Sequence, residues 1–400
     1  MNVFIMGAGA SKSYSQSTTN VRMPIAFDFF KTFNKLKISE NPWVRVGEII
    51  NYVRENYQVD PSDFNTFNID IEKLHSEIEE KLKIAIEQDN KVDVMILHRV
   101  YMQLVFLFSS VINEIQNGPI SNPHINLAKL LKDEDFVITY NWDTLMDRAM
   151  YRTTNWEPGS GYLVKPRMIY RDEWVQTNKS TINAPKIIKL HGSVNWLTSY
   201  MVVEDGKFTL TQELGPDTFY VYEYANQPYA TYDGRFMNGY TPFSYGYYPV
   251  NLPDRGKSIE NGRVLISMKQ RGAYYAEKGS SNSSGLVSMP MIIPPVKYKS
   301  YNMFGTLFKE LWNTSEEILS KADHIIIIGY SFPKTDIQSE NLFKNAFLKR
   351  LNYPQITILN PKPERIIEKF MFDFGVPESN IRVFKEYFSK EFNIDKLLEY

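Results

Sequence analysis

Cysteine is missing from all 400 residues. That single absence excludes disulfides, thiolate-held zinc and a thiol nucleophile. Net charge is nearly missing as well, since 45 Lys and Arg stand against 46 Asp and Glu for a formal −1. With a pI near 6.6 no long-range field of either sign arises. The composition therefore does not point to nucleic acid or an acidic membrane, although a local basic groove stays open. No unbroken apolar run approaches the roughly 18 residues that cross a bilayer. The longest stretch, Tyr101 to Phe108, lies within a helical pattern. No basic segment opens the chain and only a short apolar stretch precedes Gly7, so a signal peptide is not expected and the predicted location is cytoplasmic, with no membrane partner. Walker phosphate loops, zinc-protease helices, Ser-centred nucleophile elbows and internal repeats are all lacking.

What is present is enough apolar material, 43% of residues, for one large core and a smaller second one. Short, nearly continuous apolar runs at Val3 to Met6, Phe136 to Thr139, Lys186 to Leu190, His324 to Ile328 and Ile356 to Leu359 read as buried parallel strands. They predict an α/β, doubly wound, Rossmann-like parallel sheet, in which ligands bind beyond the carboxyl ends of the strands. The core is assigned to 1–30, 120–197 and 290–400. Residues 31–119 read as a helical insertion, with helices over Ile69 to Glu87 and Val92 to Gln116. Residues 198–289 form a Tyr- and Gly-rich second insertion. Its Tyr220, Tyr222, Tyr224, Tyr229, Tyr240, Tyr245, Tyr247 and Tyr248 suit either an oligomer or partner interface or an ordinary β-rich subdomain. Gly279 to Gly285 reads as a loop, and helices are expected from Arg365 and from Phe388.

Each predicted strand ends in unusual chemistry. After the first comes Gly7-Ala8-Gly9-Ala10-Ser11, where glycine lets backbone approach a phosphate and a helix start offers N–H groups; the third glycine of the dinucleotide fingerprint is absent, and a purely structural turn is the other reading. After the second come Asn141 and Asp143, two apart. They either share a crevice as amide and carboxylate, or serve as turn support and as the cap of a helix from Thr144 to Met150. His191-Gly192 follows the third strand, placed for proton transfer near neutral pH or simply a satisfied buried histidine. Gly329-Tyr330-Ser331 follows the fourth, with Gly329 and Ser331 as phosphate or ribose contacts and Asp336 read as a helix cap, and Asn360 follows the fifth as a ribose contact or a turn former. His75 and His98 in the helical region, His124 in a loop, and His324 at a strand start receive no role. The 15 methionines read as core filler.

Taken in this order, the motifs resemble the sirtuin family, over about half of the chain. The resemblance implies NAD as ligand, with Asn141 and His191, assisted by Asp143, as catalytic residues. It implies Gly7, Ala8, Gly9, Ser11, Gly329, Ser331 and Asn360 as cofactor contacts. The sequence departs from the protein deacylases of that family. Their four-cysteine zinc module cannot form here, so no zinc is expected; Tyr140 stands where glutamine usually precedes the asparagine, and Met23-Pro24-Ile25-Ala26-Phe27 replaces a Pro-Asp-Phe-Arg segment. With Ile293-Pro294-Pro295, these departures resemble the sirtuin-like NAD hydrolases of bacterial antiphage systems.

That resemblance implies an NAD⁺ hydrolase yielding ADP-ribose and nicotinamide, the effector of an antiphage, abortive-infection system. It implies control by homo-oligomer assembly or by a sensor partner such as a ring-forming ATPase. The competing expectations are an NAD-dependent protein deacylase and a nucleotide-sensing or assembly subunit of a defence complex. A nuclease partner is a further one, without the clustered carboxylates of a metal site.

Overall fold

The computed structural model describes residues 1–17, 19–36, 47–59, 68–116, 118–171, 173–177, 183–199, 201–204, 207–210, 219–222, 288–293, 306–333 and 336–399. β1 (Asn2–Met6) is apolar from Val3 onward and leads directly into the short α1 (Ala8–Lys12). The helical region follows as α2 (Phe29–Asn34), α3 (Gly47–Tyr57), α4 (Ile71–Glu87) and α5 (Lys91–Gln116). α4 starts two residues later than expected, because the Asp70 carboxylate accepts from the N–H groups of Glu72 at 2.8 Å and Lys73 at 3.4 Å and sets the boundary. α5 is long and apolar enough to cross a membrane by length and composition, and 80% of its most apolar window is buried inside the molecule. Polar residues break up its apolar positions in sequence, which is why no unbroken run revealed it.

α6 (Asn122–Leu130) leads to β2 (Phe136–Thr139), α7 (Leu145–Thr153) and the single turn α8 (Pro158–Gly161). His124, expected in a loop, lies in the first turn of α6 and its Nδ1 meets Ser121 Oγ at 2.7 Å. Next come the hairpin β3 (Met168–Arg171) and β4 (Glu173–Gln176), then β5 (Lys186–Lys189) and β6 (Gly192–Ser199). β7 (Met201–Glu204) pairs with β8 (Lys207–Leu210), followed by β9 (Tyr220–Tyr222) and β10 (Ser288–Ile292). The chain closes with α9 (Leu307–Lys321), β11 (His324–Ile328), α10 (Ile337–Leu348), β12 (Gln355–Leu359), α11 (Glu364–Glu368) and β13 (Ile381–Phe384).

Six of these strands form one parallel sheet in the order β13-β12-β11-β1-β2-β5. Numbered along the chain, the order is 6-5-4-1-2-3, that of a doubly wound, Rossmann-like sheet whose direction of winding reverses between β1 and β11. β11, His-Ile-Ile-Ile-Ile, is wholly buried, as a central strand covered on both faces must be. A second sheet has the order β10-β6-β9-β3-β4. Pro290, which cannot donate to a ladder, sits where the β10–β6 register shifts.

Two terminal expectations are corrected. β13 is a sixth parallel strand that the apolar-run criterion missed, because Ile381-Arg382-Val383-Phe384 is a half-buried edge. The segment from Phe388 is not an α-helix: Ser389 Oγ accepts from Glu391 N at 3.3 Å and Asn393 Oδ1 from Asp395 N at 3.2 Å, local bonds that leave only a 3₁₀ turn at Ile394–Leu397. Tyr224, Tyr229, Tyr240, Tyr245, Tyr247, Tyr248, the Gly279 to Gly285 loop, Pro294 and Pro295 lie outside the described residues.

Candidate active site

The turn after β1 and the turn after β11 are stitched together at the switch point. Gly7 N–H donates to Ile328 O at 3.1 Å, and Gly9 N–H to Gly329 O at 2.9 Å. Gly329 has φ of +62°, and a Cβ placed on it would stand 2.3 Å from Ala10 N, so neither its backbone conformation nor the gap admits a side chain. Gly7 is buried in this joint and does not line the cavity, whereas Ala8 and Gly9 are exposed to it. The glycines here serve backbone packing first, and the opening they leave is what Ala8 and Gly9 present.

Asn141 sits two residues beyond the end of this joint's neighbour, β2. Its Nδ2 donates to Gly7 O at 2.9 Å and to Ser11 Oγ at 2.8 Å. These acceptors use both amide hydrogens and fix which way the amide points, leaving the carbonyl Oδ1 as its group for a ligand. Ser11 Oγ in turn donates to Asp143 Oδ2 at 2.5 Å, and Asp143 Oδ1 accepts from Leu145 N at 3.0 Å. The capping and turn-supporting roles are thus real, and the same residues line the cavity. Beneath them the buried Lys189 ammonium donates to Asp143 O at 2.6 Å and pairs with Asp147 Oδ2 at 3.0 Å, while Tyr162 donates to the other Asp147 oxygen.

His191 occupies the tight turn between β5 and β6, where Gly192 adopts φ of +73° and a Cβ would lie 2.0 Å from Met291 O. The imidazole is buried. Tyr140 meets it edge-on at 5.3 Å and Trp312 lies 6.2 Å away, ring centre to ring centre. Its Nε2 lies 3.9 Å from Asp336 Oδ2. Asp336 corrects the reading of it as a helix cap: it stands at the N-cap position of α10 but makes no side-chain cap bond. Its carboxylate instead accepts from Tyr330 Oη at 2.8 Å and from Ser339 Oγ. Tyr330 stacks on Tyr140 at 4.1 Å. Burial, reinforced by the Asp336 charge, holds both tyrosine hydroxyls far above their ordinary range, so both stay protonated.

Ser331 is presented outward between two buried aromatics, and Phe332 accepts a φ of +50° because its ring packs against Phe343, Phe370 and Phe374. Asn360 makes the turn expected of it, Oδ1 accepting from Lys362 N at 2.9 Å, at the cavity's edge. One cavity of about 1320 Å³ is lined by Ala8, Gly9, Ser11, Asn141, Asp143, His191, Gly329, Ser331 and Asn360 together. Of the expected site residues only Gly7 stands outside its wall. Lys12, Arg22, Arg365 and Lys390 add positive charge to the lining, alongside Asp70, Glu72 and Glu391. Among the described residues, no group of three or more His, Asp or Glu is placed to hold a metal ion.

Sequence reasoning missed Asp336, Tyr330 and Lys189 as parts of this site. The signal for Lys189 was a cation ending an apolar strand; for Asp336 it was an acid a short step after Gly329-Tyr330-Ser331.

No family model and no curated protein matches the chain. Solved structures similar to it include Sir2 homologues. A Sir2 homologue mutant in complex with ADP ribose aligns at 13% identity and a TM-score of 0.36, over 99% of this chain and 90% of that one. A complex of Sir2 with a p53 peptide and NAD⁺ aligns at 12% identity and a TM-score of 0.33, over 97% and 88%.

Proposed function

We propose that this chain hydrolyses the nicotinamide glycosidic bond of NAD⁺ to give ADP-ribose and nicotinamide. The observation that carries the proposal is the convergence of Gly9, Ser11, Asn141, His191, Gly329, Ser331 and Asn360, from five strand ends, on one cavity at the switch point. The volume, about 1320 Å³, admits a dinucleotide, and the mixed wall of backbone, hydroxyl and cationic groups suits its diphosphate and riboses.

In the reaction the C–N bond to nicotinamide breaks with its electron pair leaving on the neutral nicotinamide, through an oxocarbenium-like state. Water adds to the ribose carbon, and its proton passes to His191. Asn141 Oδ1, aimed by the clamp on its nitrogen, holds the water. Asp143 keeps lone pairs for the nicotinamide carboxamide beyond those serving Ser11 and Leu145. No step needs zinc, and a chain without cysteine cannot build the deacylase zinc module.

Unchecked NAD loss poisons a cell, so the activity is proposed to be held off by homo-oligomer assembly or by a partner such as a ring-forming ATPase, within a bacterial antiphage system. Asn141→Ala and His191→Ala are expected to lower NAD⁺ consumption at least about 100-fold, measured by chromatography of nicotinamide and ADP-ribose. Consumption at the wild-type rate by either variant removes this assignment. Nicotinamide released only when an acyl-lysine peptide is added supports a deacylase instead.

A further inference from the structure

We propose that Asp336 is the positioning residue for His191, its carboxylate orienting the imidazole and balancing the charge that the ring gains on taking a proton. Three observations carry this. Oδ2 of Asp336 lies 3.9 Å from His191 Nε2, and both side chains are buried. The carboxylate is held in place from two elements, by Tyr330 Oη at 2.8 Å from the β11–α10 connection and by Ser339 Oγ from the first turn of α10. It also forgoes the helix-capping bond that its position offers, so its oxygens serve side-chain hydroxyls instead of backbone N–H groups.

Two aromatic rings and a second carboxylate also face this part of the cavity. Tyr140 reaches it from the end of β2 and Trp312 from α9, and both are neutral. Asp143 lines the same cavity from the β2–α7 turn, with its oxygens directed at Ser11 Oγ and Leu145 N. An anion close to a buried imidazole favours the imidazolium. When His191 receives the proton of the attacking water, the new positive charge forms beside Asp336; no further reactant is needed.

The inference rests on the NAD-cleaving reading for its kinetic readout, so its test also uses a readout that does not depend on catalysis. In the full chain, the His191 imidazole is titrated by NMR, its signal assigned from its loss in His191→Gln. Asp336→Asn is expected to lower the His191 midpoint by about one pH unit. Tyr330→Phe, which keeps the stacked ring but removes one donor to the carboxylate, is expected to raise it.

The acid limb of NAD⁺ turnover should move the same way in each variant, with kcat falling about tenfold or more in Asp336→Asn and KM within about twofold, because the group acts through a base rather than on the substrate. A His191 midpoint unmoved in both variants overturns the proposal, as does an unaltered acid limb. If Asp336→Asn fails to fold, Tyr330→Phe decides, an unmoved midpoint counting against. Shifted NMR midpoints with no NAD⁺ turnover by the wild type keep the pair and overturn the NAD-cleaving reading alone.

Discussion

At Asn141 a fixed orientation and a free acceptor come from the same two hydrogen bonds. Nδ2 is tied to Gly7 O and Ser11 Oγ, so the side chain joins the ends of β1 and β2 before any ligand arrives. This makes asparagine irreplaceable by its acid. Asn141→Asp would set an anion against the Gly7 carbonyl and a few bonds from the Asp143 carboxylate. The expected loss is about 1–3 kcal/mol of stability, seen as a lower urea midpoint at unchanged slope; a variant as stable as the wild type shows that the clamp contributes nothing. The Ser11–Asp143 bond extends the same logic, tying the cavity-facing turn after β1 to the start of α7.

At the level of elements, β5 and α7 are joined below the site by Lys189 and Asp147, a buried ion pair with side-chain exposures of 1% and 6%. Such a pair is costly to break from one side only. Lys189→Met is expected to destabilise the chain by about 3–5 kcal/mol, and adding Asp147→Leu to recover part of that loss, because the second change removes the stranded buried charge. Urea unfolding of the three proteins checks it, and a double variant no more stable than the single one contradicts it.

The same element shows what the sequence made legible. Five of the six strands, the four central ones and the buried edge β5, were readable because burial leaves nearly continuous apolar runs, and function could be looked for at their ends. β13 was not, being a half-buried edge interrupted by Arg382. Asp336 was misread because chain distance alone favours a cap, whereas the Tyr330 turn brings a hydroxyl onto its carboxylate. Lys189 was read as part of a strand, since nothing local reveals that an acid from α7 waits beneath it.

For the whole molecule, buried histidines make stability depend on pH. Burial lowers His75 and His124 to about 3 and His98 and His324 to about 4. Because the native values lie below the unfolded value, the unfolded chain takes up protons that the native state refuses. Stability is therefore level above about pH 6.5 and falls as pH drops below it, each histidine adding up to about 1.4 kcal/mol per pH unit. Burial raises Glu79, which works the opposite way nearer its own range. Urea midpoints at pH 7.5, 6.0 and 5.0 should fall in that order, and His75→Leu should flatten the slope; a midpoint that holds steady through this window contradicts the assignment. The chemistry of the molecule is tested most directly by incubating the chain, separated by native mass into its assembled forms, with NAD⁺ and no peptide. The account predicts nicotinamide and ADP-ribose in equal amounts from at least one form and from no form of His191→Ala. NAD⁺ left intact by every wild-type form, or cleaved equally well by His191→Ala, would contradict it.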